Sequence, residues 1–220
     1  LFKAELVDYD YEFVFIDDGS DDNSFNELYE IHQKDSKVKV YKLSRNFGQR
    51  PAMICGYEHA TGDAAIKMSA DMQEPFDVIP SMVKSSFEEG NDIVICYRDK
   101  REDGGMDSVT SKLFYSIVRR TNPRMPKGGF DFFLMNRKAL DTINKIRYRN
   151  RFLQGDLLYL GYSIKYLPYT RLARKIGKSQ QRFAPRLKLF INGIIDSTYF
   201  PIRFMSTMGV IFFFIGILAS

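Results

Sequence analysis

Short apolar, β-branched runs alternate with helix-patterned stretches through the first hundred residues. That rhythm restricts the chain to an α/β architecture in which crossover helices join mainly parallel strands. Tyr11 to Ile16, Val38 to Leu43, Ala64 to Met68 and Asp92 to Tyr97 read as strands. Helices are predicted between them over 24–34, 49–60 and 76–89. Ser24 and Glu27 have the spacing of a capping box, Pro51 falls in a first turn, and Gly90 ends the third helix. After Tyr97 the rhythm breaks. Arg98 to Gly105 reads as a charged loop, 112–120 as a helix, Phe130 to Met135 as an aromatic strand, 153–161 as a helix and Lys165 to Tyr169 as a short strand.

In open sheets of this kind ligands bind at the carboxyl ends of strands. Two such ends carry carboxylates. The first strand runs into Asp17, Asp18, Asp21 and Asp22 around Gly19, in "YEFVFIDDGSDDNS". The third runs into "MSADMQEP", where Asp71 and Gln73 supply oxygens two residues apart and Glu74 follows. One carboxylate with few protein oxygens suits Mg²⁺ or Mn²⁺ shared with substrate phosphates, while a polar turn capping the next helix is the plain alternative. Asp21 and Asp22 read as a solvated turn and helix N-cap.

Charge is unevenly spread. From Lys145 to Arg203 there are thirteen Lys and Arg residues against two acids, Asp156 and Asp196. Such asymmetry points to a polyanion or an anionic membrane surface. Residues 186–200 place Leu187, Phe190, Ile191, Ile194, Ile195 and Tyr199 on one helical stripe, and Phe204 to Ser220 holds no charge. An interfacial amphipathic helix leading into the start of a transmembrane helix is the expectation. The abutting hydrophobic end favours membrane over nucleic acid. Cys55 and Cys96 lack metal spacing and read as reduced core thiols, and no Ser-His-Asp arrangement exists around His32 or His59.

Six segments stand in order: "VFIDDGSDDNS", "LSRNFGQRPAMICGYEHATGD", "SADMQEP", "GGFDFFLMNRKAL", "RFLQGDLLYLGY" and "RLARKIGKSQ". Together they resemble family 2 glycosyltransferases with a GT-A fold, and more narrowly the polyprenyl-phosphate glycosyltransferases. The likeness runs from about Tyr11 to Ser220. It implies a GT-A catalytic domain over 1–184 with the family's N-terminal strand missing. An amphipathic interfacial helix over 185–203 and a truncated membrane helix over 204–220 would follow.

The resemblance also implies roles. Asp17 and Asp18 are expected to contact the nucleotide's base or ribose. Asp71 matches the second acid of the family's DxD-type motif, the metal ligand, and Gln73 a further ligand for Mg²⁺ or Mn²⁺. Ser69 replaces the first acid. Asp131 matches the acid facing the acceptor, as a base or as an orienting group, and Phe133 stands where the family segment has arginine. Arg171, Arg174 and Lys178 are expected to meet donor or acceptor phosphate. Gln154 and Asp156 fall near the sugar pocket, and Arg45 and Arg50 flank the glycine loop "RNFGQR" as structural or nucleotide-adjacent residues.

The function so implied is inverting transfer of a sugar, by nearest resemblance glucose from UDP-glucose, to undecaprenyl phosphate. Catalysis would occur at the cytoplasmic face of a membrane, with self-assembly open. A glycosyltransferase with a non-lipid acceptor and a non-catalytic nucleotide- or lipid-binding scaffold are the alternatives.

Overall fold

The computed structural model describes residues 5–101, 115–116, 118–120, 122–146, 152–172 and 200–218. The chain divides into two compact units. The first holds 1–103, 130–148 and 161–175, and the second holds 104–129, 149–160 and 176–220.

The first unit opens with β1 (Phe13–Asp17), α1 (Ser24–Lys34), β2 (Val38–Lys42), α2 (Gln49–His59) and β3 (Ala64–Lys67). A 3-10 turn (Phe76–Val78) leads into α3 (Ile79–Phe87) and β4 (Ile93–Arg101). Then come β5 (Phe132–Asn136) and α4 (Arg137–Lys145), and β6 (Ile164–Arg171) completes the unit. β1 and β2 pair in parallel as a two-stranded sheet. The remaining strands form a second sheet in the order β3-β5-β4-β6. There β5 runs antiparallel to both β3 and β4, whereas β4 and β6 are parallel. The sheets are therefore mixed and not mainly parallel as the sequence rhythm predicts. β5 enters between β3 and β4, a long-range pairing that local periodicity cannot reveal.

The core lies on the four-stranded sheet. Ile93, Val94, Ile95 and Cys96 of β4 and Phe132, Leu134 and Met135 of β5 are fully buried. Val94, Cys96, Phe132 and Leu134 pack with Ile79, Met82 and Val83 of α3 and with Tyr169. Ala64, Ile66 and Met68 join this cluster, so the period of a strand sends Lys67 to the opposite face. β1 is only half covered, and Phe13 remains 45% exposed.

Two local expectations change. Ser24 is the first helical residue of α1 and the cap position is Asn23, with no side-chain cap bond, so the capping box does not form. Asp22 Oδ1 instead accepts from Ser24 N at 3.0 Å. β4 also continues through Arg98 to Arg101 because β6 pairs along its whole length, with an irregularity between Arg98 and Lys100.

In the second unit α5 (Leu153–Tyr159) buries Leu153, Leu157 and Leu158. The last helix, α6 (Phe200–Leu218), exposes Phe204, Phe212, Phe213, Phe214 and Leu218. Among the described residues no helix is long and apolar enough to cross a membrane. The amphipathic stripe over 186–200 lies almost wholly outside the described residues; of the helix predicted over 112–120, residues 115, 116 and 118–120 are described and helical.

Candidate functional site

Because β5 opposes both β3 and β4, and β6 follows β4, the carboxyl ends of β3, β4 and β6 fall together with the amino end of β5. That end of the sheet collects the Ser69–Glu74 turn, Arg98, Asp131 and Arg171.

The turn after β3 is tightly bound to itself. Glu74, 3% exposed, accepts from Ser69 N at 3.1 Å and from Ser69 Oγ at 2.9 Å. The same hydroxyl accepts from Lys67 Nζ at 3.2 Å. Met72 takes a φ of 54°, a left-handed conformation costly for a side chain with a Cβ, as is common in loops shaped by function. Asp71 is half-buried at the crest of the turn, where its Oδ1 faces Gln73 N.

Gln73 is buried and fully engaged. Its amide oxygen accepts from the Arg171 guanidinium, and its Nε2 donates to Leu172 O at 3.2 Å. Leu172 N returns a bond to Gln73 O at 3.0 Å. The end of β6 is thereby fastened to the Asp71 turn.

Asp131 is met by a residue that the sequence reading assigned to a loop. Arg98 Nη2 donates to Asp131 Oδ2 at 2.7 Å, and Arg98 Nε points to the Tyr169 hydroxyl at 3.4 Å. Burial pushes the Tyr169 phenol up, against the opposing pull of Arg98. The signal for Arg98 was the length of the apolar run before it. The signal for Lys67 was a lysine inside the otherwise apolar run Ala64 to Met68.

The two aspartates closing β1 have different surroundings. Asp17 is 4% exposed; its Oδ1 accepts from Ser20 N at 3.2 Å, and its Oδ2 is buried with no partner. Asp18 accepts from Phe47 N and Gly48 N, each at 2.8 Å, so both its oxygens hold the Arg45–Gly48 loop. Gly19, at φ +70°, lets that loop pass close by: a Cβ there would lie 2.4 Å from the carbonyl carbon of Arg45. Arg45 is exposed and stacks on Phe47, 4.6 Å from the ring centre. Asp21 and Asp22 are exposed, as expected for a solvated turn.

At the other end of the strands, Glu12 accepts from Thr61 N and Gly62 N and pairs with Lys39. Burial opposes its charge, but the Lys39 ammonium and the Thr61 and Gly62 donors prevail and lower its pKa to about 2. Gln154 and Asp156 lie on α5 in the second unit. Arg174 and Lys178 lie outside the described residues.

Of the residues in this set, the Asp71 carboxylate could serve a divalent cation. Gln73's amide oxygen is engaged by Arg171, and Ser69's hydroxyl by Lys67 and Glu74. Among the described residues no group of three or more His, Cys, Asp or Glu is placed to hold a metal. An ion at Asp71 would take its remaining oxygens from water and substrate phosphate, which suits Mg²⁺ or Mn²⁺.

Comparison with known proteins fits this geometry. Residues 4–144 match the profile of glycosyl transferase family 2. The chain is 32% identical over 209 residues to the prophage bactoprenol glucosyl transferase homolog of Escherichia coli (strain K12), covering 94% of this chain and 68% of that protein. The chain spans 62–68% of the length of the curated relatives it matches, less than two thirds of several of them. Among solved structures it is similar to glucosyl-3-phosphoglycerate synthase of Mycobacterium tuberculosis, with a TM-score of 0.55 at 15% identity over 84% of this chain and 69% of that one. It is also similar to the Pyrobaculum calidifontis mannosyltransferase PcManGT, solved with GDP-Man and Mn²⁺, with a TM-score of 0.50 at 15% identity over 79% and 52%. The fold is thus GT-A-like, and the chain belongs to glycosyl transferase family 2.

Proposed function

We propose that this glycosyltransferase moves a sugar from a nucleotide sugar to a polyprenyl phosphate at a membrane, with UDP-glucose the donor and undecaprenyl phosphate the acceptor. The observation that carries this reading is the meeting of Asp71, the Arg98–Asp131 pair and Arg171 at one end of the four-stranded sheet. The likeness to a bactoprenol glucosyl transferase homolog supports the lipid acceptor. The exposed aromatic face of α6 supports a bilayer contact, with the catalytic unit on the cytoplasmic side.

In this reading Asp17, whose buried Oδ2 lacks a partner, takes a donor from the base or ribose. Asp18 keeps the Arg45–Gly48 loop in place beside it. Asp71 would hold Mg²⁺ or Mn²⁺ at the donor diphosphate, and Gln73, whose oxygen accepts from Arg171, would be the further ligand. The ion supplies charge neutralisation for the departing diphosphate. Arg171, with Arg174 and Lys178 beyond it in sequence, grips phosphate. The acceptor phosphate is already anionic, so Asp131 need not remove a proton; fixed by Arg98, it accepts from sugar hydroxyls, and the Arg98 guanidinium is the member of the pair that can meet phosphate. Its oxygen attacks the anomeric carbon from the face opposite the diphosphate, which inverts that centre. Catalysis comes from positioning and electrostatics.

The test uses full-length protein in membranes with undecaprenyl phosphate, a panel of labelled nucleotide sugars and Mg²⁺ or Mn²⁺. Label from one donor should enter the lipid phase and disappear with Asp71→Ala. Nucleotide binding without lipid label from any donor would sink the lipid acceptor and favour a soluble one.

A further inference from the structure

Lys67 is a charged side chain in a place that nothing so far explains. It sits in β3, 9% exposed, on the face opposite the α3 cluster. Among the described residues its one hydrogen bond is to a neutral group, the Ser69 hydroxyl at 3.2 Å, leaving two of three ammonium donors without an acceptor there. A buried ammonium in such a setting is costly unless an anion completes its shell.

The geometry says which way it leans. Ser69 lies two residues beyond Lys67 toward the carboxyl end of the strand, so the ammonium reaches into the turn that carries Asp71. Glu74 also meets that hydroxyl, but as acceptor from Ser69 Oγ. Lys67 stands directly opposite Phe133 on β5, whose apolar ring offers the ammonium no acceptor.

We infer that Lys67 is a phosphate-binding residue of the donor site, its ammonium contacting the diphosphate of the bound nucleotide. The inference rests on the nucleotide-sugar reading above and adds a built-in cation to it.

The experiment titrates the full chain with UDP and GDP, and with uridine and guanosine, by calorimetry in EDTA and in Mg²⁺. Wild type, Lys67→Met, Lys67→Gln and Lys67→Arg are compared, each checked by thermal melting. A charge-assisted bond to phosphate predicts that Met and Gln weaken diphosphate binding by about tenfold or more, in EDTA as well as in Mg²⁺. Nucleoside binding should be unchanged, and Arg should restore most of the loss. Diphosphate affinity equal to wild type in Lys67→Met would overturn the inference alone, leaving the donor reading intact. So would an equal loss of nucleoside and diphosphate in variants that melt like wild type, or a loss confined to Mg²⁺. If Met and Gln do not fold, failure of Lys67→Arg to bind diphosphate while folded overturns it. No binding of either diphosphate by wild type in either condition would sink the donor reading and this inference together.

Discussion

Asp131 Oδ2 and Arg98 Nη2 lie 2.7 Å apart, so the Asp131 carboxylate is held by a guanidinium from the neighbouring strand. In the proposed reaction a carboxylate so paired positions the sugar and removes no proton. Asp131→Asn should therefore lower kcat by about tenfold, short of the ~10²–10⁴ expected for loss of a general base. The pH profile of kcat should keep its shape. A profile that flattens in the variant would show that Asp131 titrates during turnover.

The Gln73–Arg171 contact joins the Asp71 turn to the end of β6. Gln73→Ala and Arg171→Ala should be strongly non-additive. A double-mutant cycle on kcat/KM should give a coupling of about 1–2 kcal/mol, in the range for residues sharing one hydrogen-bond network. Hydrogen exchange at the Leu172 amide should quicken in Gln73→Ala, because losing the side-chain bonds to Leu172 O and Arg171 leaves the backbone bond from Leu172 N to Gln73 O as the remaining tie. Additive effects would mean the two side chains act separately.

Gly19 and Asp18 form one device. Gly19→Ala forces a Cβ against Arg45 backbone at 2.4 Å in a left-handed conformation and should cost about 1–3 kcal/mol. Asp18→Ala strips the acceptors from Phe47 N and Gly48 N and should cost about 1–3 kcal/mol while accelerating exchange at those amides. Asp17→Asn should instead weaken nucleotide binding with a smaller change in melting temperature. Equal behaviour of the two aspartates would contradict this division.

Glu12 makes stability pH-dependent. Its carboxyl titrates near 4.5 when unfolded and at about 2 when folded, so its contribution is complete above pH 4.5. It is lost progressively as the pH falls through 4.5 toward 2. At neutral pH this amounts to on the order of 1–3 kcal/mol, allowing for solvent screening. The gap in melting temperature between wild type and Glu12→Gln should be widest near pH 7 and narrow steadily below pH 4.5. A gap independent of pH would remove Glu12 from the account.

Much of this was legible in the sequence, for identifiable reasons. The strands from Phe13, Val38 and Ala64 and the helix from Gln49 have strong local period and boundary residues, and each forms within a residue or two of its expected limits. Asp71 could be picked out because strand ends in this architecture hold ligands, and Asp131 only through the resemblance of its segment to a family motif; both fall at one end of a sheet. What local pattern could not carry is pairing. The extension of β4 through Arg98 depends on β6, some seventy residues later, and the Arg98–Asp131 pair depends on β5 entering between β3 and β4. Gln73 was read as a metal ligand from its spacing, yet its oxygen is claimed by Arg171, 98 residues away.

The separation into two sheets means that the first unit need not open all at once. Ile93 to Cys96 on β4 have no exposed surface, whereas Phe13 on β1 remains 45% exposed in a sheet of only two strands. Amides of β4 and β5 should be the slowest to exchange, and those of β1 and β2 should exchange through smaller, local excursions. Asp17 belongs to the looser sheet, and the Asp71 turn to the firmer one. A nucleotide held at its base by the first and at its phosphates by the second would spend part of its binding energy suppressing those excursions. Its arrival would then register as protection spreading along β1, far beyond the few atoms it touches.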